Sequence, residues 1–484
     1  MLYHSTRSQL HQVDSAQAVL SGLAPDGGLF VPCQLPQMDV CAVLQGDTMS
    51  MARDIIGAML PDIPNMEQLV HHAYTGKFSH PELTPTVQAG PFTVLELYHG
   101  PTSAFKDVAL CMLPQLLTAA RKEKGMTQPV LILTATSGDT GKAALAGFRD
   151  VEGVQICVFY PQGGVSRVQR AQMVTQEGNN VAVCAVEGNF DDAQTGVKNL
   201  FAQAVDGCLP GSEKQLSTAN SINIGRLAPQ ITYYFKAYRD LLDRGQIIMG
   251  QKVNFCVPTG NFGDILAGYL AKQLGLPVGT LVCASNANNV LTDFIRTGTY
   301  DRKRPLHKTI SPSMDILVSS NLERLLYFMS RDTELVAGLM QQLNTEGAYT
   351  VPGELYDAIN REFWAGCCDD ALTRQTIARV FREYGYLCDT HTATAWAVAE
   401  DYVNQTGDQT PMVVLSTASA YKFPQAVLSS LEELTTDDEF AMMERLHEKT
   451  GVAIPVNLCG LQQKPELHTT VIPKDKMLEF VTKI

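Results

Sequence analysis

The chain has 484 residues, of which 45% are hydrophobic, and its 50 acidic and 37 basic side chains give a formal net charge of −13. Because this length exceeds one ordinary hydrophobic core, we predict two or three domains. The negative charge and the lack of any basic stripe argue against nucleic acid or an anionic membrane as the main partner, so any anionic ligand must be held by local groups.

The cysteine pattern supports neither a disulfide framework nor a zinc site. The 12 cysteines are scattered apart from the Cys367-Cys368 pair, with no C-x-x-C and no paired spacing with histidine. The N-terminus lacks the basic-then-apolar order of a signal peptide, and no apolar run reaches the roughly 18 residues of a membrane span. We therefore expect a cytoplasmic protein with reduced thiols, no metal and no membrane partner.

The predicted elements begin with a small N-terminal α+β module. Residues 1–90 mix helical patterns with the turn-rich stretch 24–32, and a loop rich in proline and glycine over 80–91 follows them. From Phe92 onward, short β-branched runs alternate with helical stretches, which predicts an α/β fold with parallel sheets covered by helices. The predicted strands are 130–135, 154–160, 181–186, 253–258, 280–284 and 412–415.

The alternating pattern weakens after about Leu428. An acidic patch over 432–439 precedes one more helical stretch and a tail that contains proline. We interpret residues 431–484 as a C-terminal extension with a solvated face, packed on the larger lobe of the protein.

Lys106 is the lysine that we expect to be partly buried. It follows the turn dipeptide Gly100-Pro101 and a short run of small and apolar residues, and it precedes the apolar segment 108–113. An unperturbed lysine has a pKa of about 10.4, whereas an amine that attacks a carbonyl must be neutral. Burial lowers this pKa, which is how a Schiff-base lysine is prepared. The alternative is a lysine that merely extends from an apolar element to the surface.

A strand-to-helix turn follows the predicted strand 130–135. Backbone donors at such a turn point at an anion, so we expect a carboxylate or phosphate there. A nucleotide P-loop is excluded, because the motif G-x-x-x-x-G-K-[ST] needs glycine where Thr136 stands and serine or threonine where Ala143 stands. An ordinary capped helix start is the alternative. The turn residues are Ser137, Gly138, Asp139 and Thr140.

A second turn of this kind follows the predicted strand 253–258. Its glycines are spaced to let the backbone approach a ligand, which makes it the better phosphate-binding loop. Each charge-assisted hydrogen bond to a phosphate contributes roughly 1.5 to 3 kcal/mol, so three or four amides suffice without a basic side chain. The loop consists of Gly260, Asn261, Phe262, Gly263 and Asp264.

Between the two turns, Ser221, Asn223 and Arg226 lead into a predicted helix over 227–242. Polar donors and one arginine at a helix N-terminus form a site for a divalent phosphate ester. The alternative is a helix cap with a surface arginine.

Taken in order, these stretches resemble the threonine synthases of the longer bacterial and fungal form, which are pyridoxal-phosphate enzymes of the β-family, fold type II. The resemblance covers nearly the whole chain. The motifs are D-G-G-L-F-x-P at 26–32, H-G-P-T-x-A-F-K-D at 99–107, T-A-T-S-G-D-T-G at 134–141, G-N-F-D-D at 188–192, A-N-S-I-N-x-x-R at 219–226, G-N-F-G-D at 260–264, and the stretches 314–316 and 320–324.

The resemblance implies an architecture and a cofactor. It implies two parallel-sheet lobes with helices on both faces, in a catalytic domain over 91–430 whose smaller lobe is 108–205. It further implies pyridoxal 5'-phosphate as a Schiff base on Lys106, with the cofactor phosphate in the loop from Gly260 to Asp264. Thr417 would lie opposite the pyridine nitrogen, and the turn from Ser137 to Thr140 would bind the substrate carboxylate.

The implied reaction converts O-phospho-L-homoserine and water to L-threonine and phosphate, in a monomer or homodimer. Lys106 would take the α-proton and later a β-proton, while the pyridoxal ring stores electrons. One alternative is a threonine-synthase-like phospholyase that releases 2-oxobutyrate. Another is a non-catalytic binding protein on the same scaffold, against which the intact Lys106 and both glycine loops argue.

The sequence departs from the family pattern at two places. The family's T-A-H-P-A-K-F stretch begins here at Thr417, but Ser419-Ala420 replaces His-Pro. Asp139 stands where related enzymes place an asparagine near the cofactor's phenolic oxygen, which an ionised carboxylate would repel. We therefore expect Asp139 to turn toward a backbone amide or Lys142. We interpret His391 as a structural histidine that orders the start of a helix.

Overall fold

The computed structural model describes residues 1–136, 138–204, 207–210 and 212–484. Its N-terminal module contains a three-stranded antiparallel sheet in the order β2-β1-β3. Helices α1, α2 and α3 each begin after an aspartate whose carboxylate accepts a backbone N–H of the first turn. The elements are β1 (Leu2–Ser5), β2 (Ser8–Asp14), α1 (Ser15–Ser21), β3 (Phe30–Pro32), α2 (Val40–Gln45), α3 (Thr48–Met59) and α4 (Met66–Tyr74).

The chain next contributes two strands to the larger lobe and crosses to the smaller lobe. Helix α5 makes this crossing and begins at Lys106. The elements are β4 (Thr86–Ala89), β5 (Phe92–Glu96), α5 (Lys106–Glu123), β6 (Val130–Ala135), α6 (Asp139–Phe148), β7 (Val154–Pro161), α7 (Arg167–Val174), β8 (Val181–Glu187), α8 (Phe190–Ala202) and β9 (Gln215–Ser217).

The remaining residues complete the larger lobe and form the C-terminal extension. The elements are α9 (Ile224–Asp243), β10 (Val253–Pro258), α10 (Gly263–Gln273), β11 (Val278–Ser285), α11 (Val290–Thr297), β12 (Thr299–Asp301), α12 (Leu322–Ser330), α13 (Thr333–Thr345), β13 (Ala348–Thr350), α14 (Gly353–Glu362), β14 (Phe363–Cys367), α15 (Asp370–Tyr384), α16 (Thr390–Thr406), β15 (Met412–Ser416), α17 (Pro424–Leu431), α18 (Glu439–Thr450), β16 (Val471–Pro473) and α19 (Met477–Val481). Short 3-10 turns lie at Pro312–Met314, Ala420–Lys422, Leu461–Gln463 and Lys474–Lys476.

The larger lobe is built on a six-stranded sheet in the order β14-β11-β10-β15-β5-β4. Neighbouring strands are parallel except β5 and β4. Every residue of β10 is buried, and alternate residues enter two clusters: Phe255 packs on the side of α9 and α10, and Cys256 on the side of α16. The sheet is therefore covered on both faces, as parallel sheets require. The carboxyl ends of β10, β15 and β5 meet at one edge, where such sheets bind ligands.

The smaller lobe contains a five-stranded parallel sheet in the order β16-β8-β7-β6-β9. The prediction that the whole C-terminal extension packs on the larger lobe was wrong. Helix α18 does pack there, through Phe440 and Leu446, but β16 pairs with β8 and extends the sheet of the smaller lobe. The reason is that the edge of β8 presents backbone hydrogen-bonding groups that need partners.

The N-terminal module also ends earlier than we expected. Strand β4, which lies within residues 1–90, pairs with β5 in the larger sheet. The module packs on the catalytic lobes because α1 contacts α5 and α3 contacts α9. It thereby supports the two helices that begin at Lys106 and Ile224. Over the described residues, no helix has the length and apolar character needed to cross a membrane.

Candidate active site

The segment before α5 lies beside the segment after β15, and this pairing brings Lys106 and Thr417 together. The Phe105 N–H donates to the Thr417 carbonyl over 2.8 Å, and the Ser419 N–H donates to the Ser103 carbonyl over 3.1 Å. Thr417 is buried. The two residues that we predicted at opposite ends of one cofactor therefore occupy the same edge of the larger sheet.

Lys106 is partly buried, and its Nζ lies 3.4 Å from the Ser313 Oγ. Its pKa is lowered to about 8, chiefly by burial. The cations Lys422 and Arg226 lower it further, whereas Asp139 and Asp107 oppose the shift. A substantial fraction of this amine is therefore neutral near physiological pH, as a Schiff-base lysine requires.

Asp107 is committed to the turn that precedes the helix. Its carboxylate accepts the Thr102 N–H at 2.8 Å and the Thr102 hydroxyl at 2.6 Å. Gly100 is required in this turn, because a Cβ on it would lie 2.4 Å from the Asp107 Cβ. These contacts fix the direction in which α5 presents its first residue.

The expectation that Asp139 turns toward a backbone amide or Lys142 was wrong. Its Oδ1 lies 2.6 Å from the Lys422 Nζ and accepts a hydrogen bond of 3.0 Å from the Gln169 Nε2. Lys142 instead contacts the Gln176 Oε1 at 2.5 Å. Burial opposes ionisation of Asp139, but the Lys422 and Lys106 ammonium groups outweigh it and hold the pKa of this carboxyl well below its usual range.

The turn from strand β6 to α6 is partly organised by its own threonine. The Thr136 hydroxyl accepts the Gly138 N–H at 3.0 Å and the Gly141 N–H at 2.9 Å. Gly138 has φ +142, and a Cβ on it would lie 2.5 Å from Gln169. Thr140 is partly buried at the start of the helix. Ser137, which we predicted to contact a carboxylate, lies outside the described residues.

The loop between β10 and α10 is held by Asn321, which precedes α12, and lies against the 3-10 turn that contains Ser313. The Asn261 carbonyl accepts the Asn321 N–H at 3.0 Å and the Asn321 Nδ2 at 3.2 Å. Phe262 has φ +63, in the left-handed region. Gly260 permits a close approach within the protein, because a Cβ there would lie 2.5 Å from the Ser313 carbonyl oxygen. Gly263 is less crowded, with only Asn321 near its added Cβ, at 3.4 Å.

The Asp264 side chain points into the core. Its Oδ1 accepts hydrogen bonds from the hydroxyls of Tyr233 at 2.6 Å and Tyr234 at 3.0 Å. Burial raises the pKa of this carboxyl to about 6. Any contact that Asp264 makes with a bound phosphate must therefore come from its backbone.

Arg226 is buried at the start of α9, which excludes the surface arginine that we kept as an alternative. Its Nη1 donates to the Ala219 carbonyl at 2.8 Å, while its Nε has no hydrogen-bond partner in the described structure. Burial lowers the pKa of this guanidinium to about 10. A buried cation without a counter-ion is costly, so this site fits an anionic ligand.

Asn223 and Ser221 occupy different positions around this arginine. The Asn223 Oδ1 accepts the Gly225 N–H at 2.8 Å and its Nδ2 donates to the Val19 carbonyl at 2.9 Å. Its side chain therefore caps α9 and binds the N-terminal module. The Ser221 hydroxyl lies in the partly buried loop, 3.4 Å from the Ser320 hydroxyl.

His391 lies at the start of α16, as predicted, and also orders Ser313. Its Nδ1 is 2.8 Å from the Asp389 Oδ1, and its Nε2 is 3.2 Å from the Ser313 backbone nitrogen. A backbone N–H can only donate, so Nε2 accepts and the neutral ring carries its proton on Nδ1, toward Asp389. This histidine thus positions the hydroxyl that faces Lys106.

Sequence reasoning did not assign Ser313 or Lys422 to the site. Ser313 connects the lysine, the histidine and the Gly260 loop, but nothing in its local pattern distinguishes it. Lys422 belongs to the stretch that begins at Thr417. A lysine within a segment of otherwise small and apolar residues could have indicated a buried, functional side chain. Both residues come to the site through tertiary packing.

The chemistry of the site fits pyridoxal phosphate. The described structure leaves the Arg226 Nε buried without a hydrogen-bond partner and gives the Lys422 Nζ only its ion pair with Asp139. Both groups are cationic donors beside a lysine with a lowered pKa. A cofactor with a phosphate, an aldehyde and a phenolic oxygen, together with an anionic substrate, supplies acceptors of the kind that this site lacks.

Comparison with protein families gives three matches that together extend over nearly the whole chain. The family described as pyridoxal-phosphate dependent enzyme matches residues 71–418. The threonine synthase N terminus matches residues 2–74, and the threonine synthase C-terminal family matches residues 392–479.

Individual relatives agree with these matches. Threonine synthase of Pseudomonas aeruginosa is 38% identical over 498 residues, covering 100% of this chain and 98% of that protein. The crystal structure of pyridoxal-phosphate-bound threonine synthase from Brucella melitensis has a TM-score of 0.88 and 38% identity, and covers 100% and 98% of the two chains. Yeast threonine synthase has a TM-score of 0.88, 32% identity and coverage of 100% and 97%. The fold type and the resemblance predicted from the motifs are thereby confirmed, and the chain belongs to the threonine synthase family of pyridoxal-phosphate-dependent enzymes.

Proposed function

We propose that this protein converts O-phospho-L-homoserine and water to L-threonine and phosphate. The observation that carries the proposal is the proximity of two features in one site. Lys106 has a pKa lowered to about 8, and the buried Arg226 has no carboxylate partner among the described residues. The first suits carbonyl and proton chemistry, and the second suits a substrate that carries phosphate.

Lys106, the Gly260–Asp264 loop and Thr417 would hold pyridoxal phosphate. When bound, this cofactor supplies a conjugated ring that accepts electrons released at the substrate carbon next to its amine. Lys106 would hold the aldehyde end. The backbone of Gly260, Asn261, Phe262, Gly263 and Asp264 would hold the phosphate, and the Thr417 hydroxyl would serve the ring nitrogen. A neutral hydroxyl there makes the ring a weaker electron acceptor than a carboxylate would.

The free amine of Lys106 would move the protons of the reaction. A base with a pKa near 8 is matched to transfer at neutral pH, since it both accepts and releases a proton readily. It takes the proton from the α-carbon and later one from the β-carbon. Its contact with the Ser313 Oγ at 3.4 Å gives the free amine a fixed orientation.

The substrate's two anionic ends would be bound at two helix N-termini. The start of α6, at Gly138, Asp139 and Thr140 with the preceding Ser137, would receive the carboxylate. Because the Gly138 N–H is donated to the Thr136 hydroxyl, Asp139 and Thr140 would supply backbone donors. Arg226 and the Ser221 hydroxyl bind the phosphate that leaves. Asn223 contributes by holding the cap of α9, given that both polar atoms of its side chain are engaged.

Product analysis with O-phospho-L-homoserine tests this function. We expect L-threonine and inorganic phosphate in equal amounts. Release of 2-oxobutyrate in place of threonine would identify the phospholyase alternative. Failure to release phosphate with cofactor bound would contradict both reactions.

We also propose a cytoplasmic location, with the protein acting on a small molecule as a monomer or homodimer. The cysteines support a reducing compartment, because all of them are free thiols. Sedimentation of the purified protein measures its oligomeric state.

The lowered pKa of Lys106 predicts how cofactor attachment depends on pH. Lysine attacks an aldehyde only when neutral, so the rate should rise about tenfold per pH unit below pH 8 and level off above it. Stopped-flow absorbance after mixing cofactor-free protein with pyridoxal phosphate gives this rate. A rate that keeps rising toward pH 10 would indicate a lysine with an unperturbed pKa.

Gly263→Val should reduce affinity for pyridoxal phosphate while the protein still folds. The protein leaves room for a Cβ at this position, since Asn321 would lie 3.4 Å away, but the valine side chain would block the close approach of the loop backbone to the cofactor phosphate. Loss of one charge-assisted hydrogen bond corresponds to about 10- to 100-fold weaker binding. Gly338→Val is a matched control, because Gly338 lies in α13 with nothing near its added Cβ. Equal cofactor titrations for both variants would place the phosphate elsewhere.

A further inference from the structure

Lys422 is a fully buried lysine with a single ion-pair partner in the described structure. Its Nζ lies 2.6 Å from the Asp139 Oδ1, which can engage one of its three N–H donors, and no other acceptor is found for this ammonium in the described structure. Asp139 is itself buried, and its Oδ1 accepts a hydrogen bond from Gln169. Buried N–H donors without acceptors are costly, so the remaining donors of this ammonium indicate a missing acceptor.

The charges around this pair place it beside the catalytic lysine. Asp139 interacts electrostatically with both Lys106 and Lys422, and Lys422 acts in turn on Lys106. Four other charged groups interact with these residues. Asp107 binds Thr102, Lys142 contacts Gln176, and Asp264 accepts hydrogen bonds from Tyr233 and Tyr234, while Arg226 is the fourth. Asp139 is the one carboxylate among them that contacts Lys422 within the described structure.

The chemistry of pyridoxal phosphate identifies an acceptor for this donor. Its phenolic oxygen is bonded to the ring carbon next to the one that bears the aldehyde, so it lies beside Lys106 once the cofactor is attached. The phosphate arm lies on the other side of that carbon and leads to the Gly260 loop. An ionised Asp139 facing the phenolic oxygen alone would repel it, whereas a cation between them removes the repulsion.

We propose that the Lys422 ammonium donates a hydrogen bond to the phenolic oxygen of pyridoxal phosphate, with Asp139 as the counter-ion that keeps Lys422 charged and oriented. This inference rests on the proposed attachment of the cofactor to Lys106. The Asp139–Lys422 pair would then supply the hydrogen bond that a single neutral amide side chain would otherwise donate. It also accounts for a carboxylate at a position where a negative charge alone would be unfavourable.

The proposal has a spectroscopic consequence that does not depend on turnover. When the cofactor is attached, its visible absorption changes as the proton shared by the Lys106 nitrogen and the phenolic oxygen is lost. A cation beside this proton lowers the pH midpoint of the change, and a carboxylate raises it. Lys422→Met should therefore raise the midpoint, and Asp139→Asn should lower it, each by about one pH unit or more.

The double variant Asp139→Asn/Lys422→Met removes both charges of the pair and therefore leaves no unpaired buried charge. It tests the role of Lys422 even if the single variant Lys422→Met, which leaves Asp139 buried without its partner, does not fold. Its midpoint should lie about one pH unit or more above that of Asp139→Asn. Lys236→Met is the matched control, because Lys236 is also fully buried with its Nζ 2.6 Å from a carboxylate, that of Asp240. Its midpoint should equal that of the unaltered enzyme.

The outcomes separate this inference from the proposed function. Equal midpoints for Asp139→Asn and the double variant would overturn the role of Lys422, even with normal threonine formation. Opposite shifts for the two single variants, with an unchanged Lys236→Met, would support it. An unaltered enzyme that shows no visible band with pyridoxal phosphate would contradict the attachment at Lys106 and with it both proposals.

Discussion

Lys106→Ala should abolish threonine formation and the visible absorption of the attached cofactor while leaving the fold intact. The variant lacks both the amine that attaches the cofactor and the base that moves the protons. Loss of a general base alone costs about 10²- to 10⁴-fold in rate, and loss of the attachment adds to it. Stability should not fall, because the burial that lowers the pKa of Lys106 works against its charged form in the folded protein.

Absorbance, product analysis and circular dichroism on the same sample test this prediction. Lys142→Ala is a suitable control, since burial also lowers the pKa of Lys142, to about 7, but its Nζ contacts Gln176 and not the catalytic groups. The control should retain the visible band. Substantial threonine formation by Lys106→Ala would contradict the catalytic assignment.

The parallel strands were predictable because the residues that favour a buried strand are consecutive in the sequence. Strands 130–135 and 253–258 were predicted with the bounds that the structure has for β6 and β10, since continuous β-branched runs indicate strands buried on both faces. Helix α9 begins at Ile224, three residues before the predicted start at Leu227. The Asn223 side chain caps this helix, and the spacing of apolar residues does not reveal such a cap.

The contacts that define the site were less predictable. Lys422 and Asp139 are far apart in the chain, and nothing local to either residue specifies that they pair. Strand β16 is a short, exposed segment whose position depends on the free edge of β8. The sequence motifs were sufficient to predict that Lys106, Thr417 and the Gly260 loop belong to one site. The burial of Arg226 could be seen only in the folded structure.

Arg226→Ala should impair the use of the phosphorylated substrate and leave cofactor binding nearly normal. The guanidinium is buried at the N-terminus of α9, and its Nε has no hydrogen-bond partner in the described structure. The cofactor phosphate, in contrast, is assigned to the Gly260 loop. Loss of a charge-assisted contact of about 1.5 to 4 kcal/mol lowers kcat/KM for O-phospho-L-homoserine by roughly one to three orders of magnitude. Affinity for threonine, which lacks the phosphate, should change much less.

Thermal unfolding of the cofactor-loaded enzyme supplies a second measurement. Inorganic phosphate should raise the unfolding temperature of the unaltered enzyme, because a ligand that binds only the folded state stabilises it, and should do so much less in Arg226→Ala. Arg324→Ala is the contrasting control: Arg324 donates to Phe30, Asn321 and Ile222, so its loss should lower stability and weaken all ligands alike. If Arg226→Ala also weakened substrate and threonine equally, or lost the cofactor, Arg226 would bind another group and the phosphate assignments of the two loops would have to be exchanged.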